Sequence, residues 1–316
     1  MKLITNLNEI DKPLSNAVVT IGNFDGVHLG HQRIFDIARK KARSMGGKTV
    51  AITFRPHPVK VLKKGAPPPL ITDFEQKKEL IEKAGIDILI CIPFSMSFAA
   101  VTAQEFVCDI LLKRIGMKAI IVGKDYTFGK NRKGNIDFLK SYGAQCGFEV
   151  IVTDWVFTDA GESDRISSTR IREIVLSGEM EKAQKMLGRP FQLRGRVIRG
   201  RNRGGRLLGF PTANIELSEV LCPKPGVYAV TVDILENSFH GVANIGFSPT
   251  FDDQEFTVEV HIIGFSEDIY GKFIHVNFIR HLRSEIRFSS VDELCEQIKE
   301  DIRNAEAIFQ ADLKGE

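Results

Sequence analysis

His28 and His31 stand three residues apart in "IGNFDGVHLGH", Ile21 to His31, a stretch that also carries Gly22, Gly26 and Gly30. An apolar run ends at Ile21 and helical periodicity begins near His28, so the two imidazoles share one face of a first helical turn. Unpaired backbone N–H groups and the positive end of the helix dipole meet there, a combination that attracts a polyphosphate. The ring N–H groups can donate to phosphate oxygens, and Gly30 leaves room for a flat ligand against the helix. Helix-start histidines beside an ordinary turn are the plain alternative. A metal pair ranks lower, because the thiol spacing supplies no third ligand.

A second cluster, "DRISSTRIRE" at Asp164 to Glu173, crowds Arg165, Arg170 and Arg172 onto a helix start with Ser168 or Thr169 as its N-cap. Each cation there costs about 0.3 to 1 kcal/mol against the dipole, so a bound anion is the simplest compensation. Two helix N-termini facing one crevice would grip a triphosphate from both sides. "GKDYTFGKN" is no Walker loop, since its spacing differs and no Ser or Thr follows its lysine.

Arginine and glycine alternate in "GRVIRGRNRGGRLLGFPTANI", Gly195 to Ile215, with Arg189 and Arg194 just before it. Such stretches serve RNA or nucleotide phosphate. The compact turn-forming "GFPTAN" favours the nucleotide, because the Thr212 hydroxyl and Asn214 amide suit a metal–phosphate complex. In "FTVEVHIIGF" the alternation puts Val258, Val260 and Ile262 on one face and Glu259, His261 and Ile263 on the other. Glu259 is by default a solvated side chain; if its face lines a barrel mouth, it is a candidate general base for a substrate hydroxyl.

These groups must be positioned by two kinds of element. Up to about Gly188, short apolar runs at Ala17 to Ile21, Thr49 to Phe54, Ile86 to Ile92, Ala119 to Val122 and Phe148 to Phe157 alternate with helical stretches. That order implies a doubly wound α/β sheet of mostly parallel strands, with ligands beyond their carboxyl ends. "GNFDGVH", "RPHP", "GKDYTFGKNRKG" and "DAGESDRISST" all fall on that edge. After "GRPF" the pattern turns to period two, implying an all-β unit closed as an antiparallel β-barrel. An amphipathic helix, "SSVDELCEQIKEDIRNAEAIF", follows with a serine as N-cap. "KKGAPPPL" is a stiff loop.

The 316 residues, 43% hydrophobic, suit two domains, with the break placed between residues 186 and 187. A net charge of +3 is too small to demand nucleic acid or an anionic membrane. The 5 cysteines are scattered and odd in number, which argues against zinc and disulfides and fits a reducing cytoplasm. No apolar run approaches the ~20 residues of a membrane span. The sequence leaves self-association open.

"GNFDGVHLGH", "RPHP", "VGKDYTFG" and "RISSTRIR" resemble the adenylyltransferase half of the bacterial bifunctional riboflavin kinase/FMN adenylyltransferases, the FAD synthetases. "LGFPTANI", "GVYAV", "NIGFSPTF", "VEVHI" and "DIYGKFIHVNFI" resemble their riboflavin kinase module. The resemblance implies a Rossmann-like nucleotidyltransferase domain over 1–186 and a riboflavin kinase barrel over 187–316. It implies phosphorylation of riboflavin to FMN, then adenylylation of FMN to FAD with release of pyrophosphate, with ATP as co-substrate and Mg2+ in both steps. In the first domain it assigns ATP to Gly22, Phe24, Gly30, Arg165, Ser168 and Thr169, with His28 and His31 both binding ATP and neutralising the leaving group. Asn23 and Asp125 would lie near FMN. In the second it assigns ATP to Arg206, Gly209, Thr212 and Asn214, with Mg2+ on Thr212 and Asn214. Gly226, Tyr228 and Arg283 would sit around the ligands, Tyr228 and Arg283 by the flavin, and Glu259 would activate the ribityl hydroxyl. "RGRNRGGR" departs from the family's usual turn before its Arg-Gly-Arg. Retention of only one activity, or an RNA-associated protein, are the competing readings.

Overall fold

Five of the apolar runs line up as parallel strands, as burial on both faces requires of such sequences. In the computed structural model, which describes residues 1–62, 67–158, 164–199, 209–217, 220–249 and 254–314, the chain divides into two compact units. The first comprises Met1–Pro69 and Phe74–Ser168, and the second Leu70–Asp73 and Thr169–Glu316.

The first unit is built on β1 (Lys2–Ile4), β2 (Ala17–Ile21), β3 (Thr49–Arg55), β4 (Ile88–Pro93), β5 (Met117–Gly123) and β6 (Glu149–Thr153). Their order is β1-β4-β3-β2-β5-β6, every described pairing parallel. β1 escaped the sequence reading because three residues carry too little periodicity. One face packs Val19, Ile21, Ile52, Ile90 and Val122 against Phe106, Leu111 and Leu139. The other packs Ala51 and Leu89 against Phe35 and Ile81, and Val18 and Ile121 against Ala38 and Ala42.

The covering helices are α1 (Leu29–Ser44), α2 (Pro58–Leu62), α3 (Phe74–Lys83), α4 (Met96–Ala99), α5 (Ala103–Glu105) and α6 (Ile136–Cys146); Phe106–Ile115 continues α5 as a π-helix. The strand order runs outward from β2 through β3 to β4, then reverses to β5. The crevice beyond the carboxyl ends of β2 and β5 is therefore the topological switch point, where such sheets take ligands.

The second unit begins with α7 (Ser168–Ser177, whose first residue belongs to the first unit) and α8 (Met180–Leu187). β7 (Phe191–Ile198), β8 (Thr212–Leu217), β9 (Gly226–Ile234), β10 (Asn237–Pro249), β11 (Gln254–Ile262) and β12 (Phe273–Arg283) close a barrel in the order β10-β11-β8-β7-β12-β9. "TANI" is thus not a bend but the start of β8, which bridges β7 and β11. α9 (Val291–Lys314) lays Ala305 and Phe309 on Val227, Ala229 and Val242. Its cap is Ser290, whose Oγ accepts the Glu293 N–H at 3.1 Å.

Candidate active sites

At the end of β2 the chain must turn sharply to bring α1 back over the sheet, and it does so through residues with positive φ: Phe24 (48°), Gly26 (81°) and Val27 (39°). Left-handed backbone at two non-glycine residues is strained, and such strain is held where a site needs a particular loop shape. Phe24 is buried and packs edge-on to His31 (5.3 Å) and against Phe35 (4.9 Å). Gly22 extends the β2–β3 ladder, its N–H donating to Ile52 O at 3.0 Å.

His28 is the N-cap of α1: its Nδ1 accepts the His31 N–H at 3.4 Å, which leaves the proton on Nε2. The two imidazoles stack with centroids 3.6 Å apart and planes 18° from parallel. A Cβ on Gly30 would lie 3.1 Å from the His28 ring, so glycine is what permits this stack. His31 Nδ1 is buried and has no hydrogen-bond partner among the described residues. Burial above all holds the His31 imidazole well below its ordinary range, helped by the cost of a second protonated ring beside His28 and by the Lys77 ammonium, so the ring is neutral near pH 7.

The other side of the crevice starts at the ends of β5 and β6. Asp125 pairs with Arg165 at 2.5 Å, and the guanidinium lies 4.4 Å over the exposed ring of Trp155. Arg165 Nε is buried without a hydrogen-bond partner among the described residues. Ser168 does not cap α7; it is the first helical residue, and its hydroxyl donates to Asp25 O at 2.9 Å, tying the β2–α1 loop to the helix start. Thr169, expected beside it, is exposed and is the first residue of the second unit. Arg170 has a carboxylate at hand, Glu173 at 3.2 Å. Phe54, Phe94 and Phe98 form a ring cluster at the same carboxyl edge, with centroids 5.6 to 5.9 Å apart.

In the second unit, register builds the site. Asn214 pairs with Glu259, Glu259 with Asn244, Asn244 with Val227 and Val227 with Arg283, one row across five strands. Directly paired residues share a face. Val258 and Val260 face the interior, so this row lies on the barrel's outer wall. Glu259 therefore does not line a barrel mouth. It opens onto a cavity of about 410 Å3 between the outer wall and α9, lined among others by Thr212, Asn244, Glu259, Arg283, Ile298 and Asp301.

Thr212 Oγ1 lies 3.4 Å from Glu259 Oε2, and the Phe210 ring meets His261 edge-on at 5.8 Å. His261 Nδ1 is 3.0 Å from Pro211 O, which pins the turn that follows Gly209 (φ 82°). Arg283 is clamped by the buried carboxylate of Asp301 through paired 2.8 Å bonds. A Cβ on Gly246 would fall 2.2 Å from Glu285 Oε1, so a glycine is needed for Glu285 to reach the wall.

Asn214 sits beside Glu259 without lining the cavity. Tyr228, one residue out of phase with Val227, is buried in the barrel interior with its hydroxyl on Lys224 O, rather than at the ligand-facing wall. Gly226 admits the Arg283 carbonyl beside β9. Arg206 and its neighbours Arg201 and Arg203 lie outside the described residues.

Lys77, Thr53, Trp155, Asn244, Glu285 and Asp301 were not singled out from the sequence. For Asn244, strand pairing with the "VEVHI" run was the available signal; for Lys77 and Asp301 helical periodicity gave none.

The model of the FAD synthetase family matches residues 10–170, and that of the riboflavin kinase family residues 187–309. A bifunctional riboflavin kinase/FMN adenylyltransferase of Buchnera aphidicola is 40% identical over 313 residues, 98% of this chain and 99% of that protein. Its Escherichia coli counterpart is 37% identical over 98% of each, and that of Listeria monocytogenes 38% over 93% of each. A solved structure named as a macrolide-efflux protein from Streptococcus pneumoniae is 37% identical, with a TM-score of 0.86 over 96% of this chain and 98% of that one. Among the described residues of this chain no helix is long and apolar enough to cross a membrane.

Proposed function

Because the chain belongs to the bifunctional riboflavin kinase/FMN adenylyltransferase family, we propose that it converts riboflavin to FMN in the barrel unit and FMN to FAD in the parallel-sheet unit. ATP is the co-substrate of both reactions, and the two modules correspond to residues 1–186 and 187–316.

For adenylyl transfer, an FMN phosphate oxygen attacks the α-phosphorus of ATP in line; the bond to the α,β-bridging oxygen breaks and pyrophosphate leaves. No covalent enzyme intermediate is needed, so the protein's task is to align two anions and stabilise the charge on the departing group. His28 and neutral His31 supply N–H donors, and Arg165 supplies a fixed cation. The observation that carries this reading is that two of the five buried side-chain atoms with no hydrogen-bond partner among the described residues, His31 Nδ1 and Arg165 Nε, lie at the sheet's carboxyl edge. A folded protein leaves few such atoms, and anionic oxygens would answer the guanidinium. Gly22, Asn23, Phe24 and Gly30 shape the cradle, Ser168 and Thr169 are its remaining candidate ATP contacts, and the Trp155 and Phe54 rings offer apolar surface for a flavin beside Asp125.

For the kinase step, the riboflavin 5′-hydroxyl oxygen attacks the γ-phosphorus, its proton passes to Glu259, and ADP leaves. Thr212 and Asn214 bind the nucleotide with Gly209 and Arg206, while the apolar wall that includes Ile298 receives the ring beside Arg283. The Thr212 hydroxyl, Asn214 amide and Glu259 carboxylate are hard oxygen donors, a set that suits Mg2+ shared with phosphates. When bound, Mg2+ neutralises phosphate charge. The described cysteines are all free thiols, which supports a cytoplasmic location.

The test is product analysis. Incubated with riboflavin, ATP and Mg2+, the purified chain yields FMN and then FAD with pyrophosphate by chromatography. FMN without FAD removes the adenylyltransferase assignment, and neither product removes both.

A further inference from the structure

α3 carries two adjacent lysines with opposite fates. Lys78 is at the surface, paired with Glu75 at 2.5 Å. Lys77 turns inward: its Nζ donates to Asn23 O at 3.1 Å and to Thr53 Oγ1 at 3.4 Å. Thr53 Oγ1 in turn donates to the same Asn23 carbonyl at 3.2 Å. One carbonyl thus receives a side chain from α3 and another from β3. It immediately precedes Phe24, where the left-handed stretch of the β2–α1 loop begins. Backbone in that region persists only where its surroundings over-determine it, and this double clamp does so.

The charge of Lys77 also reaches the histidine pair. Around its ammonium stand Asp25 of the loop, Cys91 of β4 and Arg55 of β3; burial lowers its proton affinity, Asp25 and Cys91 raise it and Arg55 opposes them. On the His31 ring burial is the main influence against a proton, with His28 and then Lys77 adding to it. A cation held on one side of the loop thereby biases the imidazole on the other.

We propose that Lys77 is a positioning residue for adenylyl transfer: it fixes the β2–α1 loop through the Asn23 carbonyl and so sets where the His28–His31 stack begins. This rests on the adenylyltransferase reading of the site. Lys77 touches neither reactant; it acts through the loop. A neutral imidazole donor needs no proton transfer to engage a phosphate oxygen, and its orientation is set in advance by the stack on His28.

The experiment uses the full chain with Lys77→Met and Thr53→Val. FAD formation from FMN and ATP is measured beside FMN formation from riboflavin, and the backbone amide shifts of Gly22 to Val27 are recorded by NMR without substrates. Lys77→Met lowers kcat for FAD formation about tenfold or more, with KM for FMN and ATP changed less than about threefold, and FMN formation retained. Its Gly22 to Val27 amide shifts move. Thr53→Val loses part of the FAD-forming rate. Wild-type kcat in Lys77→Met overturns the proposal, as does a loss expressed only in KM. If Lys77→Met misfolds and loses both activities, Thr53→Val decides: selective loss of FAD formation supports the clamp, and a wild-type rate overturns it. A parent chain that makes no FAD defeats the adenylyltransferase reading instead, and the backbone amide shifts of Gly22 to Val27 in Lys77→Met, moved or unmoved, then judge the clamp alone.

Discussion

Replacing Gly30 with alanine should slow FAD formation while leaving the fold as stable as before. An alanine Cβ there would lie 3.1 Å from His28 Cε1 and Nδ1 and 3.8 Å from Ile166 O. The His28 ring must retreat by a few tenths of an ångström, yet it is stacked on His31 at 3.6 Å and its Nδ1 contact to the His31 N–H is already 3.4 Å. Alanine gains up to about 1 kcal/mol of helix propensity over glycine. Loss of the His28 cap costs about 1 kcal/mol, so the two nearly cancel. A misplacement of about 1 Å at a reacting geometry costs about 100-fold, and a shift of a few tenths about tenfold, or roughly 1.4 kcal/mol of transition-state stabilisation. The assay is the initial rate of FAD formation from FMN and ATP, with FMN formation as internal control and a urea midpoint for stability. An undiminished FAD-forming rate would refute the claim that the ring stack is what the glycine protects. A stability loss of several kcal/mol would refute the cancellation.

His28→Ala combined with His31→Ala abolishes FAD formation and spares FMN formation, and Glu259→Gln does the reverse; equal loss of both activities from either change denies separate sites. Asp301→Ala strands Arg283 and costs about 3 kcal/mol, the lower end for a broken buried pair because the Arg283 side chain keeps 18% exposure. An unchanged denaturation midpoint in that variant would show that the clamp is not a stabilising contact. Because the folded chain depresses the His31 pKa, the unfolded chain binds the proton first on acidification. The His31 contribution is therefore full above about pH 6.5 and is lost as pH falls from there through the depressed value. Denaturant midpoints at several pH values should fall more steeply for the parent than for His31→Ala, and parallel slopes would contradict the shift.

What the sequence disclosed, and what it hid, follows from the range over which each signal acts. The "GNFDGVH" turn was legible because loop, cap and helix start are contiguous, and the register row through Glu259 was half visible in its own alternation. What covers that row was not, since α9 returns from the far end of the chain to build the second wall. The outward face of a closed barrel and its mouth look identical in period-two patterning. Tyr228 shows how a one-residue phase difference sends a side chain to the opposite face. Lys77 and Lys78 are indistinguishable in "FEQKKELIEK", because either reads as the solvated flank of an amphipathic helix until β3 and the β2–α1 loop are placed beneath it. Ser168 read as a cap because its hydroxyl could serve the helix; in the fold that hydroxyl serves the Asp25 carbonyl, a partner 143 positions away.

The central claim is that one chain holds two independent nucleotide pockets, and titration calorimetry of the intact protein with a non-hydrolysable ATP analogue and Mg2+ tests it most directly. The account predicts two binding events, one removed by His28→Ala with His31→Ala and the other by Thr212→Ala with Asn214→Ala. A single event, or both events lost together in either double variant, would contradict it.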